Sequence, residues 1–83
     1  MENINQPADL LAHGFVVPHA GALVLNKRDG LHHWHIREPY TLKGAPSYSA
    51  DFFDGAQRHF IDSNRFADVV SFLVRHGALN GEA

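Results

Sequence analysis

The hydrophobic pattern near the C-terminus is that of an amphipathic helix. Over residues 63–77, apolar side chains recur at intervals of three and four residues, and polar side chains share the remaining side. Asp62 or Ser63 offers a side-chain N-cap, and Gly77 is a typical residue to end a helix. His76 falls in the last turn, where a charged imidazole would complement the helix dipole. The apolar stripe consists of Phe66, Val69, Val70, Phe72, Leu73 and Val74.

Alternation of polar and apolar residues in the middle of the chain predicts a β-hairpin. The dipeptide Asp29-Gly30 lies between two β-type runs, which is a strong short-range hairpin signal. If these two residues form the loop, Leu25 lies opposite Trp34 and Leu23 lies opposite Ile36 on one apolar face. We expect this face to pack against the C-terminal helix.

Residues 47–62 fit two patterns. One is a second hairpin around Asp54-Gly55, in which Asp51 lies opposite Arg58. The other is a helix with an apolar residue at every fourth position, and Gly55 in its interior would cost about 1 kcal/mol relative to Ala. The apolar residues of that helix would be Phe52, Ala56 and Phe60. We favour the hairpin.

The remaining segments complete a prediction of fold class. Residues 1–6 are polar and are predicted to form a flexible arm, followed by a short helix over Ala8–His13. Residues 39–46 contain two prolines and a glycine and are predicted to be an irregular connection. Together these elements predict one α+β domain spanning 1–83: a small antiparallel sheet of three or four strands packed against the C-terminal helix.

Composition narrows the location of the protein. The chain has 83 residues, 45% of them hydrophobic, which is enough for one core. It has no cysteine, and no apolar run approaches the roughly 20 residues of a membrane span. We therefore expect a cytoplasmic protein without membrane contact. Its seven histidines equal its lysines and arginines in number. Because histidines gain a positive charge on protonation, the net charge of −2 should change sign at about pH 6.

The histidines of the first hairpin suggest a metal site as one alternative. On a strand, His33 and His35 point to the same side, and two imidazoles at this spacing can chelate zinc or copper. A third ligand, such as His59, would have to converge on them, and nothing in the spacing requires that. The other interpretation is a solvent-exposed sheet face with polar aromatic residues.

The same histidines also favour a protein interface, which is the leading functional hypothesis. His33, His35 and Arg37 would form a flat patch, and arginine and aromatic groups are enriched at interfaces. A second candidate surface is the proline-flanked segment 39–53, because binding residues concentrate on loops. Its candidate contacts are Tyr40, Leu42 and Tyr48. Open sheet edges make a homodimer a further expectation.

Other functions are less compatible with the sequence. The serines lie outside any Gly-x-Ser-x-Gly setting, and the glycines form no phosphate-binding loop, so we expect neither an enzyme nor a cofactor. The acidic balance disfavours nucleic acid, although a small nucleic-acid-associated regulator remains the second alternative. The sequence therefore predicts a non-enzymatic module that binds or blocks a protein partner. In kind it resembles phage or mobile-element accessory inhibitors of the anti-CRISPR type.

Overall fold

A computed structural model describes residues 4–79 and shows five antiparallel strands and two helical segments. The predicted α+β fold is therefore confirmed. In chain order the elements are a 3-10 helix at Pro7–His13, β1 (Val24–Asp29), β2 (His32–Arg37), β3 (Tyr40–Leu42), β4 (Ala45–Asp54), β5 (Gln57–Ser63) and α1 (Phe66–Arg75). In this part of the chain, neither helical segment is long and apolar enough to cross a membrane.

The long strand β4 lies at the centre of the sheet. β5 pairs with it on one side, β2 and β3 pair with it on the other, and β1 lies beyond β2. β2 and β3 follow one another along the same side of β4. Ile36 pairs with Ala50 and Tyr40 pairs with Ser47, so three residues between these pairs oppose two residues of β4. One extra residue of this kind bends a strand, as in a β-bulge.

The first predicted hairpin forms with a different register. Leu25 lies opposite Ile36 instead of Trp34, because the loop is Gly30-Leu31 rather than Asp29-Gly30. Gly30 has a φ of 62°, and glycine at the first loop position is the requirement of a type II′ turn. The pairing is thus displaced by two residues, which leaves each side chain on its predicted face because strand side chains alternate with a period of two.

Residues 47–54 and 57–62 belong to β4 and β5, so the favoured hairpin is confirmed and the helix alternative is wrong. The register of this second hairpin is displaced from the prediction by two residues, as in the first hairpin. The loop is Gly55-Ala56, Gly55 has a φ of 61°, and Asp51 lies opposite Phe60 rather than Arg58. The faces are again preserved by the period of two.

The irregular connection predicted over 39–46 is wrong. β3 and the start of β4 form a tight hairpin around Lys43-Gly44, where φ is 53° and 80°. Two successive positive φ values define a type I′ turn. Pro46 lies opposite Thr41, in the part of β4 that precedes its pairing with β5. Proline has no backbone N–H to donate, and no strand on the β5 side of this residue requires one, so Pro46 is tolerated here.

The core lies between α1 and one face of the sheet. Trp34 and Phe52 occupy neighbouring strands there, and their rings stack with centroids 5.2 Å apart. Leu23 was predicted to share this face, but it precedes β1 and its side chain is 67% exposed. The buried apolar residues are Leu10, Phe15, Trp34, Ile36, Ala50, Phe52, Phe66, Val69, Phe72, Leu73, Ala78 and Leu79.

The C-terminal helix is shorter than the predicted 63–77. Ser63 ends β5, and the helix begins only after Arg65, whose side chain makes no capping bond. The Ser63 hydroxyl instead accepts a hydrogen bond from the Arg65 N–H at 3.1 Å and donates to Asp68. Gly77 follows the helix with a φ of 81°, as predicted for its end.

The N-terminal helix is a 3-10 helix. Its start is fixed by Asp9, whose Oδ2 accepts the backbone N–H groups of Asn5 at 2.9 Å and Gln6 at 3.2 Å. Ile4 packs against the core, so residues 4–6 of the predicted flexible arm are held in place. Residues 1–3 of that arm lie outside the described residues.

Lys27 connects the segments that follow the two helices to the sheet. Its Nζ donates to the backbone oxygen of His13 at 3.0 Å and of Ala78 at 2.6 Å, and it lies 5.7 Å from the centroid of the Phe15 ring. An ammonium group has three donors, so one side chain can satisfy carbonyl groups from two separate segments. The segment after the 3-10 helix and the segment after α1 therefore meet at β1.

We predict that Lys27→Met lowers the free energy of unfolding by about 1–3 kcal/mol, because it leaves partly buried carbonyl groups without their donor. Denaturant unfolding followed by Trp34 fluorescence measures the change. The matched control is Lys43→Met in the exposed β3–β4 turn, which should change stability by no more than about 0.5 kcal/mol. Equal effects of the two substitutions would contradict the structural role of Lys27.

Candidate functional site

One face of the sheet lies away from α1, and we call it the open face. Its members alternate along the strands with the residues that face the core, and four strands contribute to it. They are Val24, Asn26, Arg28, His33, His35, Arg37, Ser49, Asp51, Phe53, Arg58, Phe60 and Asp62. The predicted patch of His33, His35 and Arg37 is part of this face.

His33 and His35 are in direct contact. Their ring centroids are 4.2 Å apart with the planes at 68°, and the His35 ring meets Phe53 edge-on at 5.7 Å. Burial, followed by the positive charges of His35 and Arg28, lowers the pKa of His33 below its ordinary value of 6.5. The lowered pKa favours the neutral form of the His33 imidazole, so this ring presents an aromatic, uncharged surface at neutral pH.

Asp51 is the electrostatic centre of the open face. It is only 6% exposed, although it lies on the side of the sheet away from the helix. Its two carboxylate oxygens lie 2.8 Å from Arg58 Nη2 and 3.6 Å from Arg37 Nη2. A buried carboxylate needs such partners. The two arginine side chains remain 51% and 60% exposed, so each can also contact a partner.

Arg37 and the predicted contact residue Tyr40 line one shallow depression of about 360 Å³ at the β1–β3 corner of the sheet. Tyr40 is 54% exposed. Tyr48 lies elsewhere, because its ring packs against Phe66 of α1 with centroids 5.4 Å apart. The side chain of Leu42 is outside the described part of the structure. The structure thus brings Tyr40, but not Tyr48, together with the histidine patch.

His59 lies on the core face and cannot join His33 and His35 as a third ligand. Its ring neighbours are Phe52 at 5.9 Å and His76 at 5.0 Å. Within residues 4–79, no three histidine, aspartate or glutamate side chains are grouped so that they could hold a metal ion. The strand pair His33 and His35 is therefore a two-imidazole site at most.

His76 behaves differently from the expectation based on the helix dipole. Burial, followed by the charges of His59 and Arg75, lowers the pKa of His76 below 6.5. Its ring lies 4.7 Å from both Phe52 and Phe72, so it packs as an aromatic residue between the helix and the sheet. Desolvation therefore outweighs the attraction of the helix C-terminus for a cation.

Arg58 and Phe60 are two members of the open face that the sequence did not single out as candidate contacts. The Arg58 Cζ lies over the Phe60 ring at 5.1 Å, and Phe60 is 60% exposed. Their i, i+2 spacing within the predicted second hairpin already placed them on one face of it. Only the pairing of β4 with both β2 and β5 shows that this face is shared with His33 and His35.

A second apolar depression of about 360 Å³ lies beside β1. It is lined in part by Leu11, Val17 and Leu23, which are 50%, 47% and 67% exposed. Pro39 lines both this depression and the one that contains Tyr40. The two depressions are therefore continuous at the corner of the sheet.

Comparison with known proteins adds no assignment: no family model matches the chain, and no curated protein or solved structure is significantly similar to it. The fold and the site define the chain as a small α+β domain with one open sheet face.

We predict that NMR titration places the pKa of His33 below 6.5, and that His35→Ala raises it by removing one neighbouring positive charge. His19→Ala, in an exposed loop, is the control and should leave it unchanged. Because the unfolded chain binds more protons between the folded pKa and 6.5, stability should fall as pH is lowered through that interval. A wild-type pKa for His33 at or above 6.5 would contradict this electrostatic description.

Proposed function

We propose that this chain is a non-enzymatic protein-binding module that contacts its partner through the open face and blocks part of the partner's surface. The observation that carries the proposal is the cluster of exposed arginines, exposed Phe60 and half-buried His33, His35 and Phe53 around the buried carboxylate of Asp51. Arginine and aromatic residues supply most of the energy at interfaces, whereas lysine and glutamate are depleted there. The open face carries no lysine and no glutamate.

The open face is also held in position before any partner binds. Strand pairing fixes its backbone, and ion pairs with the buried carboxylate of Asp51 restrain the guanidinium groups of Arg37 and Arg58. Because fewer rotamers are lost on binding, a larger part of the contact energy contributes to affinity. The partner surface that fits is a flat one with carboxylate groups for the two arginines and apolar groups for Phe53, Phe60 and the neutral His33.

The charges of the face favour a protein over a nucleic acid. Two of its three arginines already pair with Asp51, and Asp62 adds a further negative charge. Nucleic-acid affinity depends on cations that are free to neutralise phosphates. A cytoplasmic location is part of the proposal and is supported by the absence of cysteine.

We predict that a photo-crosslinking residue at position 35 captures one protein from the native host, and that the same residue at position 71 on the exposed side of α1 does not. With that protein purified, His33→Ala/His35→Ala and Arg37→Ala should each weaken binding at least about tenfold. His19→Ala and Arg75→Ala are the matched controls and should leave affinity unchanged. Capture at both positions, or equal affinity of all variants, would exclude the open face as the binding surface.

Metal binding is a second candidate function, because the contact between His33 and His35 fits a two-imidazole chelate. Water or a partner's side chain would complete the coordination, and Cu²⁺ should bind more tightly than Zn²⁺ in such a site. We predict that calorimetry with Cu²⁺ shows one site per chain, which His33→Ala/His35→Ala removes and His59→Ala retains. Heat that depends equally on His59 would contradict the assignment.

A further inference from the structure

The outer strands β1 and β5 differ in how their free edges are protected. The outer edge of β1 is covered at Asn26, which exchanges two backbone hydrogen bonds with Val16 at 2.8 and 2.9 Å. Within residues 4–79, β5 pairs with β4 alone. Proteins usually block such an edge with charged side chains, above all lysine, or with proline or a bulge. Gln57–Ser63 contains neither lysine nor proline, and its two charged residues, Arg58 and Asp62, are of opposite sign. The edge of β5 is therefore open to another strand.

The hairpin geometry decides which backbone groups of β5 are free. With a two-residue loop, the flanking pair Asp54–Gln57 is hydrogen-bonded in both directions, and such pairs then recur at every second residue. Gln57, His59, Ile61 and Ser63 consequently direct their N–H and C=O groups toward β4. The N–H and C=O groups of the three residues between them point outward. These residues are Arg58, Phe60 and Asp62.

When two copies of β5 run antiparallel, the side chains of these three residues in one copy are complementary to those in the other. Phe60 is the midpoint of the seven-residue strand β5, with Arg58 two residues before it and Asp62 two residues after it. If a second β5 pairs antiparallel about Phe60, each Arg58 lies opposite the Asp62 of the other copy, and the two exposed Phe60 rings meet at the centre. Opposite charges and aromatic pairs directly across strands are stabilising.

We propose that two copies of this chain associate through antiparallel pairing of β5 with β5, centred on Phe60. This register overlaps all seven residues of the strand and forms two symmetric Arg58–Asp62 pairs. A shift by two residues in either direction loses both charge pairs. The occupant of the β5 edge is thus a second copy of the chain, and the two sheets become one continuous sheet.

The dimer joins the two open faces into a single surface with twofold symmetry. An edge of seven residues buries less area than the roughly 1,200–2,000 Å² of a standard stable interface. The association should therefore be concentration-dependent, with dissociation in the micromolar range or weaker. The inference does not depend on the protein-binding role proposed above, because it rests on the backbone edge and the charges of β5 alone. Arg58 and Phe60 belong to both surfaces, whereas His33 and His35 lie on β2, away from the β5 edge.

Sedimentation of the full chain over about 1–500 µM tests the association. We expect a monomer–dimer equilibrium that Asp62→Arg and Arg58→Asp each weaken about tenfold or more, because like charges then face each other. An equimolar mixture of the two variants should dimerise again, since one chain then presents arginine at both positions and the other presents aspartate at both. A wild-type chain that is monomeric throughout, or variants that do not recover on mixing, would overturn the proposal.

A second pair of variants leaves the Arg58–Asp51 contact intact. Phe60→Lys places two ammonium groups at the centre of the dimer and should abolish association. Leu31→Lys, at a hairpin tip where the side chain is 77% exposed, is the matched control and should not change it. Circular dichroism checks that each variant is folded. Equal loss of dimer in both would show general surface hydrophobicity rather than β5 pairing.

Amide hydrogen exchange distinguishes this edge from any other dimer interface. In the dimer, the outward N–H groups of Arg58, Phe60 and Asp62 become hydrogen-bonded, so their exchange should slow as protein concentration rises. The amides of His59 and Ile61 already bond to β4 and should show a smaller change. Protection that increases at β1 instead of β5 would assign the dimer to the other edge and refute the proposal.

Discussion

A single short helix can cover only one face of a sheet, and this constraint governs the rest of the structure. α1 has ten residues and packs its apolar stripe against β4 and β5, so the chain has one core face and one open face. The stacked rings of Trp34 and Phe52 form the centre of the core face. The residues that alternate with them lie on the open face, where they contact solvent, one another or a partner. The candidate site follows from this asymmetry.

The two faces use the same residue type in different ways. On the core face, His59 and His76 pack around Phe52, where burial lowers the pKa of His76 and its ring packs as an aromatic group. On the open face, His33 and His35 contact each other beside Phe53, next to a carboxylate held by two arginines. A high histidine content therefore does not define one site here, because the pleat of the strands divides the imidazoles between two environments.

The edge of the sheet at β1 is covered by another segment of the chain, whereas within residues 4–79 the edge at β5 is not. Around β1, Val16 pairs with Asn26 and Lys27 binds carbonyl groups from both terminal segments, so this edge is tied into the domain. β5 has no such cover within the described residues, and its charges are arranged symmetrically about Phe60. Assembly through β5, as proposed, would leave His33 and His35 on β2 accessible, whereas Arg58 and Phe60 would lie at the junction of the two copies.

The sequence by itself determined most local elements: the amphipathic stripe predicted α1, and alternation with Asp-Gly pairs predicted both long hairpins and the faces of their paired side chains, although not that of Leu23. It misplaced both registers by two residues, because an Asp-Gly pair does not specify whether glycine takes the first or the second loop position. The β3 hairpin was missed because Pro46 is acceptable only where β4 lacks a neighbour, which is a property of the assembled sheet. Likewise, the separation of His59 from His33, and the union of Arg58 and Phe60 with the histidine patch, depend on pairing across β4. Such relations join residues distant in sequence, so tertiary structure alone decided them.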